Sequence, residues 1–400
     1  MLSSQSAAVV RATLPVVGAA IDEITPVFYR RMFTAQPELL RDLFNRGNQA
    51  DGTQARALAG SIAAFAGMLV ENPGRRPDAM LARIAHKHAS LGITADQYTI
   101  VQRHLFAAIA EVLGDAVTPE VAAAWDEVYW LMAGALIAME ARLYAEAGVA
   151  DGDVWSQWKV VGRLEETPDV ATFMLRPADR SPSPPFKPGQ YVSVRCPLPD
   201  GANQIRQYSL SCAPNGTDRW ISVKRVNGTG GAPDGEVSNR LHANVKEGDV
   251  LTVSAPFGDT VLDDGESPVL LASAGIGCTQ TISMLAHLAA TGSPRRVVVV
   301  HADAAESTHP FRTELGLLVD KLSDAEAHIW YEHPENPRPS QYTGLADLAG
   351  IDVPEGTRAY LCGPVPFMSS VREQLLGRGV AASRIHYEVF GPDLWLASTT

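Results

Sequence analysis

The sequence predicts a multi-domain chain: an all-α domain over residues 1–150, an antiparallel β-barrel over 151–263, and an α/β domain with a parallel sheet over 264–400. Three observations carry this. From Ser4 to about Ala147 the chain is rich in Ala and Leu at helical spacing, whereas from Trp155 onward Pro, Gly and Val become common. In the middle, Tyr191-Val192-Ser193-Val194 and Ile221-Ser222-Val223-Lys224 alternate between turn clusters that include the Pro-rich Ser181–Pro188, as barrel strands do. Further on, Val269-Leu270-Leu271-Ala272 and Val297-Val298-Val299-Val300 are unbroken apolar runs, each followed by a helical pattern, as strands buried on both faces require.

Punctuation agrees with the first domain being helical. Thr94 followed by Gln97 is a capping-box pattern, and Thr118-Pro119 is an N-cap with Pro at the first helical position. That opens a long helix which Gly148 terminates, and Gly148 to Asp153 marks the change of texture. With 400 residues the chain exceeds one ordinary core. No internal repeat or low-complexity tract occurs.

Charge and cysteine usage narrow the setting. The 33 basic and 45 acidic residues leave a net charge of −12, which opposes general binding to nucleic acid or an anionic membrane. Cys196, Cys212, Cys278 and Cys362 lie far apart without a C-x-x-C, so neither a disulfide framework nor a thiolate zinc site is expected. The N-terminus lacks a basic segment before an apolar core, and no run of about 18 apolar residues stands out. A monomer in a reducing cytoplasm, with no membrane span, is the expectation.

Chemistry enters at Arg206-Gln207-Tyr208-Ser209. In a strand Arg206 and Tyr208 share one face and Gln207 and Ser209 the other. A guanidinium grips a pyrophosphate bidentately while a ring two residues on lies against a flat heterocycle, which suits a flavin. Pro188-Gly189-Gln190-Tyr191 stands upstream. Downstream come Gly235-Glu236-Val237-Ser238 ahead of a helical pattern at Asn239–Asn244, then Gly275-Ile276-Gly277-Cys278-Thr279, Cys362-Gly363-Pro364, and Phe390-Gly391-Pro392 near the end. A glycine before a helix N-terminus favours close approach of a phosphate. Gly275 and Gly277, between a buried strand and a helix, suit a nicotinamide nucleotide. Plain alternatives stay open: Ser238 as an ordinary cap, Cys362 as a small buried hydrophobe, Phe390 as a C-terminal anchor.

In the helical domain Leu81, Ile84 and His88 share a face, so His88 is the inward histidine and His86 points elsewhere. Glu140 falls on the face of Ala133, Leu136, Ile137 and Tyr144, and a carboxylate there needs a partner. The ring N–H of an iron-ligating imidazole is one partner, Arg103 another; Tyr98 extends the first arrangement. Tyr29 with Phe33, and Gln54 with Leu58, are pairs four apart that share helix faces.

The order of the downstream motifs resembles the ferredoxin-reductase family. The helical domain, through Phe28-Tyr29-Arg30-Arg31-Met32-Phe33, Pro37-Glu38-Leu39, Phe44-Asn45, Asn48-Gln49, Lys87-His88, Gln97-Tyr98 and Glu140-Ala141-Arg142-Leu143-Tyr144, resembles the globin of bacterial flavohemoglobins, which fuse it to such reductase modules. The resemblance covers nearly all of the chain. It implies His88 as the proximal ligand of haem b iron, Tyr98 and Glu140 as its hydrogen-bonded partners, Phe44 as the haem-stacking ring, and Tyr29, Gln54 and Leu58 as the distal pocket. On the reductase side it implies an FAD site from Tyr191, Arg206, Gln207, Tyr208, Ser209, Gly235, Val237 and Ser238. It likewise implies an NADH or NADPH site from Gly275, Gly277, Thr279, Cys362, Gly363 and Pro364, with Glu388 and Phe390 beside the flavin. The family usually has Thr-Pro where Thr279-Gln280 stands here, and Cys278 is a second departure. The stretch Val226–Asp234 is longer than the usual connection and has no functional account. The implied activity is that of a nitric oxide dioxygenase: NAD(P)H reduces FAD, FAD reduces haem, and dioxygen reacts with nitric oxide at the haem to give nitrate. Rival readings are a gas-binding haem sensor with its own ferric reductase, and an oxidoreductase using an organic donor such as lactate.

Overall fold

Thirty-two residues, Ser4–Ala35, form the first helix, α1. Val10, Val17, Ile24, Phe28 and Met32 recur every seven or four residues along it and bury one apolar stripe. Ser3 caps the start by accepting from Ser6 N at 3.2 Å. Pro15 and Pro26 lie inside the helix, each withholding a backbone donor. The computed structural model describes residues 2–50, 52–72, 77–228, 230, 233–336 and 341–391.

Helices α2 (Pro37–Asp42), α3 (Arg46–Ala50), α4 (Thr53–Glu71), α5 (Asp78–Leu91), α6 (Ala95–Leu113) and α7 (Pro119–Ala147) complete the helical part. The expected punctuation is present. Gly92 ends α5 at φ +76°, and the backbone N–H of Thr94 donates to Gln97 Oε1 at 2.9 Å. Thr118 Oγ1 accepts from Val121 N at 3.3 Å, and Gly148 closes α7 at φ +71°. By length and composition one helix, α7, is apolar enough to cross a membrane, although no unbroken run of about 18 apolar residues occurs in it. Alanines rather than long polar side chains fill much of its outer face, which raises its hydropathy. Its Trp125, Val128, Ala133 and Leu136 pack with Phe65, Leu81, Ala85 and Tyr98, so it serves as a core helix.

The second part is built from β1 (Trp155–Thr167), β2 (Val170–Pro177), β3 (Tyr191–Pro197), β4 (Asn203–Ser209), β5 (Arg219–Lys224), α8 (Glu236–Asn244) and β6 (Val250–Ser254). Strand order is β4-β3-β6-β1-β2-β5, with β2 antiparallel to both β1 and β5. An antiparallel bridge between Leu210, just past β4, and Ile221 of β5 joins the two ends of that order, which closes the sheet into a barrel. Helix α8 begins at Glu236, three residues before the expected Asn239. Ser238 reads as a cap in sequence, but its hydroxyl accepts from Val226 N at 3.1 Å and ties down the preceding loop.

The last part alternates: β7 (Val269–Ala274), α9 (Cys278–Ala290), β8 (Val297–Asp303), α10 (Arg312–Asp320), β9 (Ala325–Tyr331), β10 (Gln341–Thr343), β11 (Arg358–Cys362), α11 (Val365–Gly377) and β12 (Ile385–Glu388). All strand pairs are parallel in the order β10-β9-β8-β7-β11-β12. The chain runs outward from β7 through β8 and β9, then returns to place β11 on β7's other side. Between the ends of β7 and β11 the order therefore switches, and open α/β sheets bind ligands at such points. By packing, the chain divides into two units: Met1–Trp155 with Arg195–Arg206 and Gly391–Thr400, and Ser156–Val194 with Gln207–Phe390.

Candidate functional site

In the helical unit, α5, α6 and α7 bring His88, Tyr98 and Glu140 together. His88 Nδ1 lies 2.9 Å from Tyr98 Oη and 2.9 Å from Glu140 Oε1, and Tyr98 donates to the same carboxylate oxygen at 2.5 Å. Glu140 is almost wholly buried, and two hydrogen bonds offset what its desolvation costs. The open alternative of Arg103 as partner is thereby settled against. Burial, then the Glu140 charge, push the Tyr98 phenol far above its ordinary range, so it remains a donor. With the carboxylate accepting both protons, the imidazole proton sits on Nδ1. Its Nε2 has no hydrogen-bond partner among the described residues and keeps a lone pair, which is what iron ligation needs.

Opposite chemistry gathers on α1, α4 and the Phe44 segment. Tyr29 is buried, stacks on Phe33 at 5.5 Å and meets Phe44 edge-on at 5.9 Å. Leu58 packs into the same cluster. Burial raises the Tyr29 phenol well above its usual range, against the lowering effect of the Gln54 and Gln49 side chains. Gln49, of the Asn48-Gln49 pair, is a further residue of this site that carries no role in the sequence-based expectations. Its Nε2 is buried and lacks a partner that meets hydrogen-bond geometry, although the amide lies close enough to influence Tyr29. An orphaned donor beside a neutral phenol fits a site for a small polarisable ligand.

Strand β4 carries Arg206, Gln207, Tyr208 and Ser209. Gln207 Nε2 donates to Ser193 Oγ at 3.2 Å, so this side chain serves the barrel on the opposite face from Tyr208. Arg206 is partly buried and donates to Ile205 O at 2.8 Å. Ser209 Oγ is buried with no hydrogen-bond partner among the described residues, an atom that a flavin's polar edge would satisfy. Tyr191 pairs with Phe257 through N–H···O bonds of 2.8 and 2.9 Å, and its ring lies against Gly258. At Gly235 a Cβ would meet Ser238 Oγ at 2.8 Å and Val226 Cβ at 2.9 Å, so glycine is required by close approach. Gly235 leads into α8, whose first turn holds Val237 in the core and leaves backbone N–H groups for an anion. The Val226–Asp234 loop is pinned at its base by Gly235 N→Val226 O (2.9 Å) and Gly228 N→Asp234 Oδ1 (2.7 Å); Thr229, Gly231 and Ala232 lie outside the described residues.

The switch point of the parallel sheet unites the third group. A Cβ at Gly277 would collide with the Cys362 carbonyl and lie 2.9 Å from Gly363 N, so β7's turn and β11's end touch backbone to backbone. Gly275 takes φ +53°, Thr279 Oγ1 donates to Ile276 O at 3.0 Å, and Pro364 caps α11. Glu388 stands opposite Cys362 in the β11–β12 register. Burial raises the Cys278 and Cys362 thiols well above the normal range, so both are neutral packing residues. Phe390 keeps about half its surface exposed, at 49%.

The chain matches the globin family over residues 27–136 and the oxidoreductase NAD-binding domain family over residues 271–373. It is 43% identical to a flavohemoprotein of Chromobacterium violaceum over 98% of each chain. To that of Rhizobium meliloti it is 41% identical, over 99% of this chain and 100% of the relative. This chain belongs to the flavohemoprotein family. Among solved structures it is similar to the flavohemoglobin of Malassezia yamatoensis with bound FAD and heme, at a TM-score of 0.89 and 40% identity, covering 98% of this chain and 100% of the other. The flavohem-like FAD/NAD binding domain of nitric oxide dioxygenase from Vibrio cholerae is 38% identical and covers 59% of this chain, with a TM-score of 0.55. Membership in the flavohemoprotein family accounts for the three clusters on one chain: a helical one with a hydrogen-bonded imidazole, a barrel with an orphaned serine, and a nucleotide turn.

Proposed function

We infer that this flavohemoprotein is an NAD(P)H-dependent nitric oxide dioxygenase that converts nitric oxide and dioxygen to nitrate. The observation that carries the reading is the His88–Glu140–Tyr98 array, which commits Nδ1 and leaves Nε2 as the ligand atom. Haem b, FAD and NADH or NADPH are its cofactors. When bound, FAD divides the hydride's electron pair into single electrons for the haem iron, where oxygen chemistry takes place. Electron counting fixes the overall reaction. Nitrogen loses three electrons in going from nitric oxide to nitrate while dioxygen takes up four, so one further electron is drawn per nitric oxide and one NADH serves two.

The chain's residues divide this work. His88 would hold the iron, and Glu140 with Tyr98 would make its imidazole more electron-donating, which favours activation of oxygen over carriage. Phe44 would pack against the macrocycle. Tyr29, kept neutral by burial, and Gln54 supply donors on the substrate side, and Leu58 excludes water there. Arg206 and the N-terminus of α8 bind the FAD pyrophosphate, Tyr208 and Tyr191 hold the ring, and Ser209 supplies its unpartnered hydroxyl. Gly275, Gly277, Thr279 and the Cys362-Gly363-Pro364 turn receive the nicotinamide, with Glu388 and Phe390 beside it. The division at 1–150, 151–263 and 264–400, a monomeric state, the lack of a membrane-spanning segment and a cytoplasmic setting belong to the same reading. Four free, buried cysteines support the last of these.

Stopped-flow decay of nitric oxide in air is the test: removal should be catalytic and require NADH. A sensor would bind one equivalent and stop, and an organic-donor enzyme would respond to lactate in place of NADH. Tyr29→Phe keeps the ring and removes the hydroxyl. A hydrogen bond to a partly charged acceptor contributes about 1.5–3 kcal/mol, so oxygen should dissociate roughly 10- to 100-fold faster, with flavin reduction unaltered. An unchanged oxygen dissociation rate would move the donor role to Gln54.

A further inference from the structure

Gln280 stands in the first turn of α9, where the proline of the family's usual Thr-Pro would leave no side-chain donor. It is 1% exposed, and its Nε2 donates to two backbone carbonyls outside its own helix: Thr260 O at 2.9 Å and Gly189 O at 3.3 Å. A primary amide nitrogen carries two protons, and both are used here. Three residues on, the buried Ser283 donates to Cys212 O at 2.8 Å. The segments reached are those that frame the flavin residues. Gly189 precedes Tyr191 by two positions, Cys212 follows Ser209 by three, and Thr260 follows the Phe257 that pairs with Tyr191. Nothing at this junction is loosely packed: at Gly189 (φ +103°) a Cβ would collide with Thr260 O and come within 2.6 Å of Met284 Cε on α9. The same turn is held by Leu262 N→Pro188 O and Leu210 N→Gln190 O, each 2.9 Å.

We propose that Gln280 is a positioning residue for hydride transfer: its amide bolts the first turn of the nucleotide-binding helix to the turn that carries Tyr191, fixing the spacing between nicotinamide and flavin sites. The proposal rests on the nicotinamide-to-flavin reading given above. The helix N-terminus moves with Gly275, Gly277 and Thr279, because all belong to one turn. A displacement there passes directly into the donor–acceptor distance, to which the rate of hydride transfer is steeply sensitive. Proline at this position would suit a helix's first turn yet supply neither proton.

Gln280→Met keeps the volume and removes the donor. In full-length enzyme carrying FAD and haem, the rate of flavin reduction at saturating NADH is expected to fall about tenfold. The isotope effect with NADH deuterated at the transferring position should grow. Without NADH, the Leu262 and Leu210 amides should exchange hydrogen faster than in the parent, while reduction by dithionite is unaltered. Parental flavin reduction with a parental isotope effect would overturn the role, even where thermal stability falls. Should Gln280→Met lose FAD, Gln280→Asn, whose shorter arm reaches one carbonyl, decides: intermediate slowing supports the proposal and the parental rate overturns it. If NADH failed to reduce the flavin of the unmutated enzyme, the nicotinamide reading itself would fall, independently of Gln280.

Discussion

His88→Ala is expected to purify without haem, showing no haem absorption band, while NADH-driven reduction of an artificial dye proceeds at the parental rate. The reason lies in how few ligands the helical unit offers. Among the described residues no cluster of three or more His, Cys, Asp or Glu is placed to hold a metal. On the proposed reading the iron would depend on its porphyrin and the one imidazole of His88, whose Nδ1 is already committed to Glu140 and Tyr98. Removing an outer partner of a metal ligand costs roughly 10- to 100-fold in affinity, and removing the ligand itself should exceed that. His86→Ala is the control and should bind haem normally, because residues two apart on a helix face different directions. A normal haem band at full occupancy in His88→Ala would show the ligand assignment to be wrong.

Arg206→Ala should weaken FAD binding by about 1.5–3 kcal/mol, the contribution of a charged hydrogen bond, or roughly 10- to 100-fold in affinity. Its guanidinium is partly buried on β4 and anchored through Ile205 O, so its charge is held in place rather than swinging in solvent. A fixed cation contributes more to an anionic ligand than a mobile one, since less side-chain entropy is lost on binding. Haem content should not change. Equal FAD affinity in mutant and parent, measured by fluorescence titration of the stripped enzyme, would remove Arg206 from the pyrophosphate site.

The legible part of this fold was written in local patterns. Thr94–Gln97, Thr118-Pro119 and Gly148 are caps, and caps depend on neighbours in sequence, so they appear where they were expected. The unbroken Val and Leu runs of β7 and β8 reflect burial on both faces, which a sequence displays directly. The start of α8 was misplaced because Ser238 uses its hydroxyl on Val226, twelve residues back, a tertiary choice that no local rule encodes. The hydropathy of α7 is spread over scattered alanines, which do not form an unbroken apolar run in sequence. In the helical site, His88 and Glu140 followed from helical spacing, but their meeting required three helices to converge. Gln49 was not assigned at all: only the structure shows its amide buried beside Tyr29. Gln280 was visible as a departure from the family's pattern, and only the fold shows which carbonyls it reaches.

The central claim is that this chain spends one electron from NADH on each nitric oxide it oxidises. Simultaneous recording of nitric oxide loss, nitrate formation and NADH oxidation in air-saturated buffer measures it most directly. One nitrate should appear for every nitric oxide removed, and one NADH should be consumed for every two. Nitric oxide removal without nitrate, or removal that stops at one equivalent per haem whatever the NADH supply, would contradict the account.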